Sequence, residues 1–362
     1  MMVPLPPPIH GASLMSRQLV HSSDINRLFR IRVIPLRFAS KLKRLGKFSP
    51  GKVFRALAFT MRLLRELLFY RPKLVYMVAT PSGYSHYRDF GWILLLRLFR
   101  VHRLLHVRER GFGVRANRWT RWRYRNLFAG AHAIVLSPLL KSDLAELVEP
   151  ERLHAVPNGL PDIPPSGKEP PLSRQKKTIL FLSNLMVNKG IYVLLDAASR
   201  LKATKLDFQL VLAGAFGRDI NASELSARIG ALGLEDVVEI QGPVDEAAKA
   251  ELLDRAFVLV FPTLKEAFGN VLLEAMRAGL PVIASREGSI PWIVIPEETG
   301  IVFPPGDAAA LAAGIRRLLE DPDLCDRLGA AGRERFLREF TDARFEARMI
   351  RLLKTCSGSD WC

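Results

Sequence analysis

The chain has 362 residues, 49% of them hydrophobic and 25% charged, which suits a soluble globular protein of two domains and excludes a disordered or fibrous chain. Its net charge of +17 and pI near 10.2 point to an anionic partner or surface. The excess is uneven, because residues 1–175 hold 30 Lys and Arg against 10 Asp and Glu, whereas residues 176–362 hold 23 against 26. Cys325, Cys356 and Cys362 form neither an even set nor a metal-ligand spacing, as expected in a reducing compartment. MMVPLPPPIHG lacks the charged and apolar parts of an export signal, and no run reaches the ~18 charge-poor apolar residues of a membrane-spanning helix. The greasiest stretch, DFGWILLLRLFRVHRLL, is cut by Arg97, Arg100 and Arg103, so any membrane association is expected to be peripheral.

In chain order, a short strand precedes the loop PPPIHGAS, and helical periodicity then runs through residues 12–30. RIRVIPL reads as a strand and Lys52–Tyr70 as a helix with an apolar stripe at Leu57, Met61, Leu64 and Leu68. KLVYMVA is a buried-type strand, Phe90–Phe99 a helix, RLLHVR a strand, Trp119–Phe128 a helix, AHAIVLS a strand and Pro138–Leu147 a helix. Residues 157–177 hold six prolines in polar company and read as a linker. Beyond it come KTILFLS, a helix over Gly190–Leu201, FQLVLAG, a helix over Ala222–Leu232, VVEIQG, a helix over Asp245–Arg255, AFVLVF, a helix from Asn270 to Gly279, PVIAS and IVFP. A helical tail over Ala308–Lys354 is expected to break near Asp321-Pro322 and at Gly329. Strands alternating with helices predict an α/β chain of two doubly wound, Rossmann-like parallel sheets, one before the linker and one after it.

The chemistry concentrates in Phe261–Gly279, FPTLKEAFGNVLLEAMRAG. A strand enters a loop carrying Glu266, Phe268-Gly269-Asn270-Val271 opens a helix, and Glu274 follows inside it. Helix-start amides attract anions and carboxylates accept from hydroxyls, so the stretch fits a ligand with a phosphate in the middle and hydroxyl-rich ends, as in a nucleotide-sugar. Lys189 opens the helix Gly190–Leu201, where the helix dipole disfavours a cation unless an anion docks beside it.

The stretch resembles the donor-site signature of glycosyltransferase family 4, the retaining nucleotide-sugar transferases with the GT-B fold. In the same order as in that family, His154-Ala155-Val156-Pro157-Asn158-Gly159 resembles the turn between its domains and Asn188-Lys189-Gly190 its phosphate-lysine loop. Thr299-Gly300-Ile301-Val302 with Pro305-Gly306-Asp307 resembles its closing turn. PPPIHGAS and LVYMVATPSGYSHYRDF resemble members acting in cell-surface polysaccharide and lipopolysaccharide assembly. The resemblance implies two domains facing a cleft, with C-terminal helices packing back toward the first: residues 1–156 for the acceptor, 157–177 the linker, 178–340 for the donor, and 341–362 the returning helix and tail. It further implies that Glu266 contacts the donor sugar near the reacting carbon, that Glu274 holds the ribose, and that Phe268, Gly269, Asn270 and Val271 approach the sugar and diphosphate. Asn184, where the family usually has an Arg, is left to assist Lys189 at the phosphates without charge. On the acceptor side it implies His10 and Gly11 at a helix start, and His106 at a strand end as a cleft histidine with a catalytic role. No cofactor and no metal are expected, and Asp321-Pro322-Asp323 reads as a structural turn.

The basic half calls for a partner. Arg118-Trp119-Thr120-Arg121-Trp122-Arg123-Tyr124-Arg125 interleaves cations with interfacial aromatics, and the helix Lys52–Tyr70 sets Arg55, Arg62 and Arg65 against apolar residues. Both suit an anionic bilayer better than nucleic acid. The expected protein is a retaining transferase that moves a sugar from a nucleotide-sugar to a lipid-linked or other glycan acceptor, peripheral on the cytoplasmic face of the membrane. A sugar-nucleotide epimerase or phosphorylase of the same fold, or a basic nucleic-acid-binding protein on an inactive transferase scaffold, are the alternatives.

Overall fold

The computed structural model describes residues 1–7, 11–36, 50–113, 117–163 and 177–357. Two compact units emerge, Met1–Gly159 together with Ala343–Cys362, and Leu160–Asp342. Most of the expected linker, 164–176, lies outside the described residues, as does His10.

The first unit runs β1 (Met2–Val3), α1 (Gly11–His21), α2 (Ser23–Leu28), β2 (Ile34–Pro35), α3 (Pro50–Arg65), β3 (Leu74–Ala79), α4 (Gly83–Leu98), β4 (His102–Val107), α5 (Arg118–Phe128), β5 (His132–Val135) and β6 (Leu153–Ala155). The second runs β7 (Thr178–Leu182), α6 (Ile191–Lys202), β8 (Gln209–Ala213), α7 (Ala222–Ala231), β9 (Val238–Gly242), α8 (Glu246–Arg255), β10 (Val258–Phe261), α9 (Asn270–Arg277), β11 (Val282–Ser285), α10 (Ile290–Ile293), β12 (Ile301–Phe303), α11 (Ala308–Glu320) and α12 (Pro322–Glu339). The last helix, α13 (Asp342–Cys356), belongs to the first unit, where Phe345, Met349, Leu352 and Leu353 join Val3, Leu19, Tyr76, Leu104 and Ile134 in one core.

Among the described residues both sheets are six-stranded and parallel, in the orders β2-β1-β3-β4-β5-β6 and β12-β11-β10-β7-β8-β9. The expected pair of doubly wound α/β sheets is therefore what the chain forms. β3 and β10 are apolar because helices cover both faces; LVYMVA is mostly and VLVF wholly buried. In the second sheet the chain steps outward from β7 to β8 and β9, then returns to the other side of β7 with β10. Strand order thus reverses between β7 and β10, and in the first sheet between β1 and β3. Open α/β sheets bind ligands beyond the carboxyl ends of the strands at such a reversal.

Four local expectations change. The helix 12–30 is interrupted because Ser22 accepts from the Ile25 amide at 3.2 Å and starts α2. The helix expected over Pro138–Leu147 is only a 3-10 turn over Pro138–Asp143, and Asp143 turns its carboxylate to the amides of Gly111, Phe112 and Gly113. Gly329 does not break the tail: it lies inside α12, where a Cβ would stand 2.3 Å from the Gly279 carbonyl oxygen, so glycine lets the helix pass the end of α9. The stripe Leu57, Met61, Leu68 faces solvent, whereas Phe59, Leu63 and Leu67 form the buried side of that helical segment. Asp321 caps α12 by accepting from Leu324 N at 2.9 Å, with proline at the first helical position.

Candidate functional site

The loops after β7 and β10, the two strands flanking the reversal in the second sheet, are tied to each other by their backbones. Leu264 N donates to Asn188 O at 2.9 Å, and Thr263 Oγ1 donates to the same oxygen at 3.2 Å. Behind them, Ser285 at the end of β11 donates its hydroxyl to Thr263 O at 2.5 Å. Gly190, which enters α6 with φ +78°, is part of this closure: a Cβ there would stand 1.8 Å from Pro262 O. No side chain fits where the two loops touch.

This frame brings Lys189 and Glu266 together. Lys189 Nζ lies 2.7 Å from Glu266 Oε2, with side-chain exposures of 20% and 18%. The same ammonium stands 5.8 Å from the centre of the Phe261 ring. Glu266 Oε1 accepts from the amides of Ala267 at 2.9 Å and Phe268 at 3.3 Å. One of the amides expected to greet an anion, that of Phe268, is thus already used by Glu266, and the anion that relieves Lys189 at the entrance to α6 is Glu266 itself. A diphosphate arriving there would share the lysine with that carboxylate.

Phe268 is buried and Gly269, at φ +87°, caps α9 with its carbonyl accepting from Leu272 N at 3.1 Å. A Cβ on Gly269 would lie 3.2 Å from both Leu272 Cδ1 and Phe261 Cε1, so glycine keeps the helix start close to the strand end. Asn270 opens the helix, Val271 is half-buried, and Glu274 follows one turn on, its side chain 16% exposed. Lys249 of α8 reaches Glu274 Oε1 at 2.9 Å and Glu246 Oε2 at 2.8 Å. Burial pushes the Glu274 carboxyl above its usual range, only partly offset by the Lys249 ammonium. Burial works against the charge of Lys249, yet Glu274 and Glu246 together raise its pKa. The two groups therefore shift in the same direction rather than oppositely, because Glu274 loses more hydration than one lysine returns. Asn184 stands exposed after β7.

Lys249 was invisible in the sequence, since it precedes Glu274 by 25 residues in another βα unit. Glu266, Lys189, Phe268, Gly269, Asn270, Val271, Glu274 and Asn184 all fall on the β7 and β10 loops or on α9.

In the first unit Gly11 starts α1, in the connection after β1 at that sheet's own reversal point. His106 is 0% exposed within β4, its Nδ1 2.7 Å from the Tyr76 hydroxyl. Burial, with the neighbouring Arg108 charge, drives its pKa well below 6.5, so the ring is neutral. Arg108, two residues further on, is buried too and donates from Nη1 to Asn158 Oδ1 at 3.1 Å.

Residues 163–335 match the family model for glycosyl transferases group 1. The chain is 33% identical over 237 residues to the phosphatidyl-myo-inositol mannosyltransferase of Mycobacterium leprae, covering 63% of this chain and 61% of that protein. It is 37% identical over 165 residues to the D-rhamnosyltransferase WbpZ of Pseudomonas aeruginosa, covering 45% and 41%. The aligned segments thus span less than two thirds of these relatives. Among solved structures, the sucrose-phosphate synthase of Thermosynechococcus elongatus superposes with a TM-score of 0.70 at 25% identity, over 90% of this chain and 83% of that one. Anabaena HepE, solved with UDP and glucose, superposes with a TM-score of 0.75 over 98% of both chains, and at 18% identity it speaks to fold alone. The second domain of this chain is a group 1 glycosyl transferase domain, carried on a protein with the GT-B fold.

Proposed function

We propose that the protein is a retaining glycosyltransferase that moves a sugar from a nucleotide-sugar to a membrane-associated, lipid-linked glycan acceptor. The observation that supports the donor half is the Lys189–Glu266 pair at the carboxyl edge of β7 and β10, where strand order reverses. Lys189 takes negative charge on the leaving diphosphate, helped by the polar Asn184 and by the amides that open α9. Glu266 accepts from hydroxyls of the transferred sugar, and Glu274, held by Lys249, accepts from the ribose. The backbone at Phe268-Gly269-Asn270-Val271 approaches the sugar because Gly269 carries no side chain. The acceptor hydroxyl attacks on the face from which the diphosphate departs and passes its proton to that phosphate, so no step assigned to these residues calls for a metal. The first domain receives the acceptor, with Gly11 at the start of α1; its neutral, sealed His106 has a positioning rather than proton-transfer role.

The bilayer partner is supported by the exposed faces of the first unit. Trp119 and Phe69 are 73% and 82% exposed, and Phe54, Leu57, Met61 and Leu98 are exposed as well. Arg55, Arg62, Arg118, Arg121 and Arg125 are exposed among them. The helices carrying these residues pack side by side, through Trp92 Nε1 to Thr60 Oγ1 at 2.9 Å and through the Phe90 and Trp122 rings. Cations beside interfacial aromatics fit anionic headgroups, which argues for the inner face of a membrane. No helix among the described residues is long and apolar enough to cross one.

Thermal unfolding across a panel of GDP-, UDP- and dTDP-sugars tests the donor. A bound donor at a hundredfold excess over its Kd stabilises by about 2.7 kcal/mol. The expected result is stabilisation by one nucleotide class, lost in Lys189→Met and Glu266→Gln. Stabilisation that survives both substitutions refutes the site, and an inverted anomer in the transfer product refutes retention.

A further inference from the structure

The first domain holds a cluster that the sugar chemistry does not use. His132 opens β5, His154 lies in the middle of β6, and Cys356 ends α13. The strands pair Ile134 with His154 and Leu104 with His132, so with the two-residue alternation of a strand, His102, His132 and His154 all project from one face of the sheet. His132 Nδ1 lies 3.0 Å from His154 Nε2, and the rings are nearly parallel at 20°. One ligand atom from each of His132, His154 and Cys356 falls within 4.8 Å of the others.

We propose that His132, His154 and Cys356 bind one Zn2+ that staples the C-terminal helix to the sheet of the first domain. With Zn–N near 2.0 Å and Zn–S near 2.3 Å, ligand atoms of a tetrahedral site stand roughly 3.3–3.7 Å apart, within a small adjustment of what the three side chains present. The pair of imidazoles is chemically suited to it. His132 Nδ1 and His154 Nε2 face each other, so both imidazoles turn a ligand nitrogen toward one place beside the Cys356 sulfur. Cys356 is buried and in the reduced state, and its thiol gives a proton to solvent as the sulfur–metal bond forms. The charged neighbours that act on the histidines, Arg152 and Lys141, are cationic and oppose the ion, so the thiolate supplies the only negative charge of the three ligands. Among the described residues no fourth His, Cys or carboxylate joins this group, which leaves the fourth position to water.

The consequence is structural. α13 follows the whole second domain in the chain, and His154 and Cys356 are separated by 202 positions. A bond closing so long a loop restrains the unfolded chain more than a local one does. The three ligands lie outside the donor loops, so the site is independent of the proposed transfer chemistry.

The test uses the full-length, reduced protein, titrated with Zn2+ against a chromophoric chelator and separately with Co2+. One equivalent should bind, with a thiolate-to-cobalt charge-transfer band in the near ultraviolet, and added chelator should lower the unfolding temperature. Cys356→Ser and His154→Gln should each weaken binding by more than the roughly 10–100-fold that loss of an outer-shell partner costs. Cys325→Ser and removal of residues 358–362, including Cys362, should leave stoichiometry and band intact. If Cys356→Ser fails to fold, the cobalt band of the unaltered protein and of the 358–362 deletion decides. Absence of stoichiometric binding, a band lost with Cys362, or affinity unchanged in His132→Gln and His154→Gln overturns the proposal.

Discussion

Replacing Gly190 by alanine tests whether the contact between the two loops sets the Lys189–Glu266 pair. The structure supplies two separate penalties. The first is conformational: φ at Gly190 is +78°, and an L-residue in the left-handed region costs about 1 kcal/mol. The second is steric, because a Cβ would lie 1.8 Å from Pro262 O, and relieving this to the 3.0 Å limit of real Cβ contacts needs a shift of about 1.2 Å between backbones. Overpacking of that kind typically costs about 1–3 kcal/mol. Gly233→Ala provides the control, since Gly233 has φ +62° and nothing lies within 4 Å of the place its Cβ would take. In a domain of this size 1 kcal/mol moves Tm by about 2–4 °C, so Gly233→Ala should cost about 3 °C and Gly190→Ala roughly 9 °C. The shift also separates the loops carrying Lys189 and Glu266, and a displacement near 1 Å lowers a transfer rate by about 10²-fold. Differential scanning calorimetry of both variants, with and without the stabilising nucleotide-sugar, reads the stability and the donor response, and a transfer assay reads the rate. If Gly190→Ala melts within a degree of Gly233→Ala and keeps its response to the donor, the backbone contact does not hold the site.

Two further outcomes follow from burial and charge. His106 is neutral in the fold and takes up a proton only when unfolded, so stability present above pH 6.5 is lost as pH falls from 6.5 toward the depressed folded value, by about 1.4 kcal/mol per pH unit. Urea unfolding at pH 7, 6 and 5 should show this slope reduced by that amount in His106→Gln; an unaltered slope would mean the buried imidazole is protonated in the fold. Changing Arg118, Arg121 and Arg125 together to glutamine should weaken sedimentation with anionic liposomes by roughly 3 kcal/mol, about a hundredfold, and added salt should shrink the difference. An unchanged pellet fraction, or RNA binding at physiological salt in its place, would point the basic face to nucleic acid.

Local pattern carried most of the α/β architecture. Apolar runs such as KLVYMVA and AFVLVF must be covered on both faces, and their alternation with helices leaves a parallel, doubly wound sheet as the simplest way to bury them. The loop and helix bearing Glu266, Gly269 and Glu274 were legible for the same reason, since strand end, glycine and helix start follow one another within a few residues. Contacts closed over long separations were not. Lys189 meets Glu266 across 77 positions and Lys249 meets Glu274 across 25, and no spacing announces either pair. One amide expected to be free for an anion, that of Phe268, was taken by Glu266 together with that of Ala267, because a carboxylate on a tight loop reaches its own backbone first.

Periodicity showed that the helix after Pro50 is amphipathic but chose the wrong side of it, because leucines and aromatics occur all round and only packing against the sheet decides which are covered. Gly329 looked like a helix break until α9 and α12 were brought to their closest approach. The sequence of β5, β6 and α13 likewise held His132, His154 and Cys356 in plain view without any metal-ligand spacing. Strand register set the two histidines side by side, and the return of the chain into the first core brought the thiol to them. Residue order thus determined which elements form, since backbone hydrogen bonding and apolar alternation act over a few positions. The pairing of charges, the exposed face and the ligand cluster were decided by the fold, since they depend on groups that only burial of a shared core brings within reach.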